Sequence, residues 1–231
     1  MATIAAHIEQ QHVRIAAACT AAHRPVQSVT LLVVSKTFPS AAVRQAFAAG
    51  ERRFGENYVQ EGLDKMAELA DLRSAIEWHL IGPLQSNKTR PVAEQFDWVH
   101  SVDRLKIAQR LSEQRPPELP PLNICLQVNI SGEASKSGLL PAEVAALAHA
   151  VAALPRLRLR GLMAVPEPAA DVAAQRLPHR ALALLQQELI AEGLLLDTLS
   201  IGMSADLEAA IAEGSTLVRV GSAIFGARHA A

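Results

Sequence analysis

The feature that most narrows what this chain can become is an alternation. Strand-like runs recur at "LLVVSK" (31–36), "RRFGEN" (52–57), "EWHLIG" (77–82), "DWVHSVD" (97–103), "NICLQVNI" (123–130), "LRGLMAV" (159–165), "DTLSIGM" (197–203) and "LVRVGSAIF" (217–225). Short apolar runs of this kind suit strands that are covered on both faces. Most gaps hold a helical segment: "PSAAVRQAFAAG", "VQEGLDKMAELAD", "DRLKIAQRLSEQ", "PAEVAALAHAVAAL", "HRALALLQQELIAEG" and "SADLEAAIAEG". Ser40 and Asp103 are candidate N-caps, and Gly50, Gly193 and Gly214 stand where helices should stop. Eight strand-then-helix repeats predict an α/β fold, a single (β/α)8 TIM barrel. A doubly wound open sheet is the alternative, but no G-x-G-x-x-G follows the first strand. An additional N-terminal helix is expected over 3–22, with Ile4, Ile8, Val13 and Ile15 along one face.

The 231 residues suit one barrel domain over 1–231, and a hydrophobic share of 50% supplies its core. With 3% aromatics, that core must be aliphatic. A net charge of −1 gives no basic excess for nucleic acid. Cys19 and Cys125 form no C-x-x-C, which argues against a disulfide framework or zinc site and fits a reducing cytoplasm. No signal peptide opens the chain, and no apolar run is long enough to span a membrane. A cytoplasmic monomer is expected.

Catalytic and binding residues of such barrels collect at the C-terminal ends of the strands. The polar residues read there are Lys36, Glu56, Asn57, His79, Ser101, Asp103, Asn129, Ser200, Met203, Ser204, Arg219, Gly221 and Ser222. A lysine partly desolvated at a strand end has its amine pKa lowered and becomes a nucleophile for an aldehyde. The alternative is a lysine reaching from the sheet edge for water. The "SIGMS" stretch (200–204) and Gly221–Ser222 offer backbone N–H groups and hydroxyls for an oxyanion, a use this barrel often makes of the loops after strands seven and eight. Taken singly, Gly202, Gly221 and Gly226 each read better as tight-packing positions. Lysine, phosphate cradle and arginine together suggest pyridoxal 5′-phosphate, which has an aldehyde, a phosphate and a ring nitrogen to be met.

The stretches "VSKTFP", "RRFGENYVQE", "EWHLIGPLQSNK", "HSVDRLKIAQRL", "QVNISGEASKSGL", "RGLMAVPE" and the block 197–228 resemble the pyridoxal phosphate homeostasis protein family, related in fold to the N-terminal barrel of alanine racemases. The resemblance implies a Schiff base between the cofactor and Lys36. It implies Ser200, Met203, Gly221 and Ser222 around the phosphate, Arg219 facing the pyridine nitrogen, and Asn57 beside the cofactor. It further implies a carrier or buffer of the cofactor within vitamin B6 homeostasis, with cofactor-dependent apo-enzymes as recipients. An amino-acid racemase of the alanine racemase type is the alternative. That chemistry needs a base on each face of Cα, and alanine racemases draw a tyrosine from a second domain. Here no such domain is expected and Tyr58 is the only tyrosine. The family pattern is left at 167–187, which is alanine-rich and lacks an aromatic.

Several residues carry plain structural readings. His79 is expected as a hydrogen-bonded core histidine, Cys125 as a small buried hydrophobe, and Glu56 as either a helix cap or a cofactor contact. "RLRLR" (156–160) reads as the start of a strand. Lys136, in "SGEASKSG", is a candidate second amine through which the cofactor would leave Lys36; a solvated loop lysine is the other reading.

Overall fold

In a computed structural model, residues 3–132 and 137–226 are described. Helix α1 (Ile4–Ala21) leads into strand β1 (Thr30–Val34), followed by α2 (Ser40–Ala48), β2 (Arg53–Glu56), α3 (Val59–Glu68) and β3 (Glu77–Leu80). Next come α4 (Thr89–Gln95), β4 (Trp98–Val102), α5 (Leu105–Gln114), β5 (Leu122–Gln127), α6 (Pro141–Ala152) and β6 (Leu157–Met163). The series ends with α7 (Val172–Ala191), β7 (Thr198–Ser200), α8 (Leu207–Ala212), β8 (Leu217–Val220) and α9 (Ser222–Phe225). The strands pair in sequence order, all parallel, and β1 closes on β8 through Thr30–Leu217 to Val33–Val220. The (β/α)8 barrel and its extra N-terminal helix are therefore as expected.

The core is aliphatic, with Phe54, Trp78 and Phe96 as its large aromatic members. Helix α1 buries Ile8, Gln11, Ile15, Ala18 and Cys19. Val13 departs from the expected face: it is 59% exposed, and Gln11 takes the inward position. Two N-caps also shift. Pro39 and Arg104, one residue before Ser40 and one after Asp103, cap α2 and α5. Gly50, Gly193 and Gly214 follow helix ends with positive φ, as read.

Seven of the eight strands are shorter than their apolar runs, and β6 (Leu157–Met163) lies two residues ahead of its run, so functional polar residues fall in the turns beyond the strands. The clearest correction is the last run: 217–225 is not one strand. Beyond Val220 the backbone breaks at Gly221 (φ −124°, ψ −71°) and coils into α9. Helix α7 begins at Val172, ahead of the expected start, with Asp171 accepting from the Ala174 amide and Pro178 accommodated inside. No helix among the described residues is long and apolar enough to cross a membrane.

Candidate functional site

Lys36 sits two residues past β1, in a turn closed by the Phe38 amide on the Ser35 carbonyl at 3.1 Å. Both neighbours of Lys36 are anchored. Ser35 Oγ donates to Glu56 Oε1 at 2.6 Å, and the Ser35 carbonyl accepts from Lys65 Nζ at 2.7 Å. The Thr37 amide donates to Glu61 Oε1 at 2.5 Å while Thr37 holds φ 66°, a conformation β-branched residues rarely adopt. Lys65 Nζ also meets Glu56 and Glu61, each at 2.7 Å. Lys65 is 5% exposed and Glu56 0%, so the pair is dry. Burial pushes the Glu56 carboxyl above its usual 4.5, with Lys65 pulling the other way, and Glu56 Oε2 has no partner. Glu56 is thus neither helix cap nor cavity contact. It braces the turn that presents Lys36.

Opposite Lys36, the segment after β7 is shaped by Asp206, which accepts from the Met203 amide at 2.7 Å and lies 2.9 Å from His179 Nε2. Burial opposes the Asp206 carboxylate, but these partners outweigh it and hold its pKa below 3.8. Arg14 of α1 donates from both terminal nitrogens to the Ser204 carbonyl at 3.2 Å. After β8, Gly221 lies so close to β1 that a Cβ there would meet the Val34 carbonyl oxygen at 2.9 Å. In the first turn of α9 the Ser222 and Ala223 amides have no acceptor within the helix.

These elements enclose a cavity of about 260 Å³ at the C-terminal mouth of the barrel. Lys36 and Phe38 line it from β1, Met203, Ser204 and Ala205 from β7, and Arg219, Gly221, Ser222 and Gly226 from β8. Phe38 stacks on Phe225 with centroids 4.8 Å apart, closing one edge. Arg219 is 4% exposed, and its terminal nitrogens donate to the Ser200 carbonyl (2.5 Å), Ser200 Oγ (2.8 Å) and the Ala164 carbonyl (2.8 Å). No carboxylate pairs with it among the described residues, and burial lowers its pKa to about 10. A buried cation held only by neutral oxygens favours an acceptor or anion in the cavity it borders.

Five residues expected at the site therefore meet around one cavity: Lys36, Met203, Arg219, Gly221 and Ser222. Two stand apart from its lining. Ser200 is fully buried behind Arg219, its hydroxyl between that guanidinium and His100. Asn57 is half-buried past β2, and its backbone presses on Gly82. Lys136 lies outside the described residues. Ser101 is spent on the Gly82 carbonyl at 2.6 Å, and Asp103 pairs with Arg104. His79 is the buried, hydrogen-bonded histidine expected, and Cys125 is buried with its thiol pushed up to about 12.

Sequence reasoning missed Lys65, Glu61, His100, Phe38 and Asp206. Only the i, i+4 spacing of Glu61 and Lys65 on one helix carried a local signal. Two larger hollows, about 440 and 340 Å³, open at the opposite mouth. Their arginines are already committed: Arg73 and Arg160 bind Asp97 and Asp197, and Arg115 binds carbonyls. No cluster of metal ligands occurs among the described residues.

Residues 10–229 match the family model described as alanine racemase, N-terminal domain. The chain is 65% identical over 228 residues to a pyridoxal phosphate homeostasis protein of Pseudomonas aeruginosa, covering 99% of this chain and 97% of that one. It is 56% identical to the protein of the same name from Escherichia coli K12, covering 99% and 98%. Among solved structures, PipY of Synechococcus elongatus PCC7942 with PLP bound aligns at 37% identity and TM-score 0.83, over 97% of this chain and 100% of that one. An alanine racemase from Corynebacterium glutamicum, at 16% identity and TM-score 0.65, shares the fold, covering 88% of this chain and 57% of its own. By sequence and by fold, the chain belongs to the pyridoxal phosphate homeostasis protein family, within the wider group that shares the alanine racemase N-terminal domain.

Proposed function

We propose that the cavity holds pyridoxal 5′-phosphate on Lys36 and that the protein carries or buffers this cofactor in vitamin B6 homeostasis without turning over amino acids. The observation that carries the reading is the convergence of Lys36 with Arg219, Gly221 and Ser222 on one cavity. The donor set fits the group. Lys36 supplies an amine for its aldehyde. The Ser222 hydroxyl and the amides of the α9 first turn suit a phosphate. Arg219, which only donates, suits an unprotonated ring nitrogen. The names of the relatives and the PLP in PipY support the same assignment.

When bound, the cofactor supplies an electrophilic aldehyde and a ring that draws electrons from it. The residues around it do the rest. The braced turn presents Lys36, the phosphate loops orient the ring, and Arg219 places a fixed cation where a ring proton would sit. That cation disfavours a protonated ring and so weakens the electron sink available to carbanion chemistry. Tyr58 points to the same outcome: it is 59% exposed beyond β2 and does not line the cavity. Ser200 acts through Arg219, and Asn57, just past β2 and outside the cavity lining, takes no direct contact in this reading. Recipients of the cofactor are its apo-enzymes, the protein works as a monomer, and Lys136 is the second amine that eases release.

The test is borohydride reduction of protein loaded with pyridoxal 5′-phosphate, followed by peptide mapping. The adduct is expected on Lys36, and Lys36→Ala is expected to lose it. Full-yield labelling elsewhere in that variant would refute the assignment. Exchange of an amino acid's α-proton with solvent, abolished by Lys36→Ala, would restore the racemase reading.

A further inference from the structure

Barrel interiors are normally filled by apolar layers, yet a file of polar side chains crosses this one. Glu77 Oε1 lies 2.9 Å from His79 Nε2, and His79 Nδ1 lies 2.9 Å from His100 Nε2. His100 Nδ1 lies 2.9 Å from Ser200 Oγ, which is 2.8 Å from Arg219 Nη1. His79, His100 and Ser200 have no exposed surface. The file starts in the hollow of about 340 Å³ at the N-terminal mouth, lined by Glu77 and His79. It ends at Arg219, in the cavity that holds Lys36 at the other mouth.

The two ends set the direction of every hydrogen. A carboxylate only accepts and a guanidinium only donates, while a neutral imidazole has one donor and one acceptor. With Glu77 ionised, His79 must donate from Nε2 and accept at Nδ1. His100 must then donate from Nε2 and accept at Nδ1. Ser200 must donate its hydroxyl hydrogen to His100, so its lone pairs face Arg219. Each contact receives one hydrogen and none is contested.

The surroundings keep both rings neutral. Trp98, Cys125 and Met163 form a separate apolar cluster, and the Trp98 ring stacks on His79 at 5.2 Å. Burial lowers both imidazoles below 6.5. Glu77 and Asp97 are the anions facing His79 and Arg53 the cation, while Arg219 faces His100. Arg160, paired with Asp197, lies over the outer face of Trp98, and the Cys125 thiol stays protonated.

We propose that His79 and His100 are positioning residues for Arg219: a one-way column of hydrogen bonds turns the lone pairs of Ser200 toward the guanidinium and fixes it in the cavity wall where it meets the bound cofactor's ring nitrogen. The last clause rests on the cofactor reading given above; the column does not. A merely structural filling would be met as well by apolar side chains of the same volume. This file instead leads to a buried cation that lines the site.

The test uses the full chain, ¹⁵N-labelled at histidine and arginine, with and without pyridoxal 5′-phosphate. Both imidazoles are expected as neutral Nε2–H tautomers at pH 7, and His100, held well below 6.5, is expected to stay neutral where exposed histidines begin to protonate. Arg219 is expected to show slow guanidinium rotation that quickens in His100→Phe and in Ser200→Ala and is restored in Ser200→Thr. In loaded protein the same two variants should shift the cofactor's absorption band and its pH profile. An Nδ1–H tautomer or an imidazolium at either histidine at pH 7 would overturn the column. Unaltered Arg219 rotation in folded His100→Phe and Ser200→Ala would overturn the positioning role. A chain that takes up no cofactor would refute the cofactor reading, and the rotation measurement would still decide the column.

Discussion

Around Lys36 the decisive contacts belong to its chain neighbours, Ser35 and Thr37, both tied to a carboxylate–lysine cluster on β2 and α3. Lys65→Met would leave the buried Glu56 carboxylate without its cation, and breaking a buried pair this way costs about 3–5 kcal/mol. Denaturant unfolding should register that loss, and borohydride trapping at Lys36 should slow because the turn loosens. Adding Glu56→Gln should recover most of the stability; a double variant as unstable as Lys65→Met alone would refute the bracing role. Lys36 itself was legible because the sequence shows an apolar run ending in a lone amine. Lys65 was not, because its only local signal is the spacing to Glu61. Its contacts to Ser35 and Glu56 arise from packing α3 across two strands. Likewise His100 shows only as one polar residue in "DWVHSVD"; its partners, His79 and Ser200, lie on other strands.

At the scale of elements, the alternation revealed the barrel because eight buried parallel strands and their helices differ in period and length. Boundaries were less legible. An apolar run such as "LVRVGSAIF" cannot by periodicity be told from a strand that breaks into a helical turn. The break at Gly221 comes from its close approach to Val34, a fact of packing and not of propensity. Gly202 makes a related demand on the β7 loop, with φ 93° and a would-be Cβ 2.6 Å from the Ala210 Cβ. Gly50 has φ 108° but open space around it. Gly50→Ala should therefore cost only the left-handed penalty, about 1–2 kcal/mol. Gly202→Ala should add an overpacking cost of about 1–3 kcal/mol and displace Met203 from the cavity. Thermal unfolding of the two variants separates these costs; equal losses would show that the Ala210 contact relaxes freely.

Across the whole molecule, His79 and His100, the buried histidines of the column, make stability depend on pH. Their folded pKa values lie below 6.5, so the unfolded chain binds protons first as pH falls. Their contribution is intact above about pH 6.5 and erodes below it, by up to about 1.4 kcal/mol per pH unit for each residue until its folded pKa is reached. Carboxylates held below their usual values, such as Asp197 and Asp206, add losses only at lower pH, near and below about 4. Urea midpoints measured between pH 7 and 5 should fall steeply for the wild-type chain and more gently for a His79→Gln, His100→Gln variant. Parallel slopes would mean the rings are not held neutral. The barrel seam carries a different consequence. Strand β1 closes on β8, Arg14 grips the Ser204 carbonyl, and His7 Nδ1 lies 2.8 Å from the Ile224 carbonyl. Lys36 is made early in translation, whereas Arg219, Gly221 and Ser222 are made late. On the ribosome Lys36 is an ordinary lysine, with no pocket around it to favour one aldehyde over another. Only after the last strand has left the exit tunnel and docked on the first does the cavity exist, so the proposed capture of cofactor at Lys36 belongs to the finished protein, and newly made chains would emerge empty.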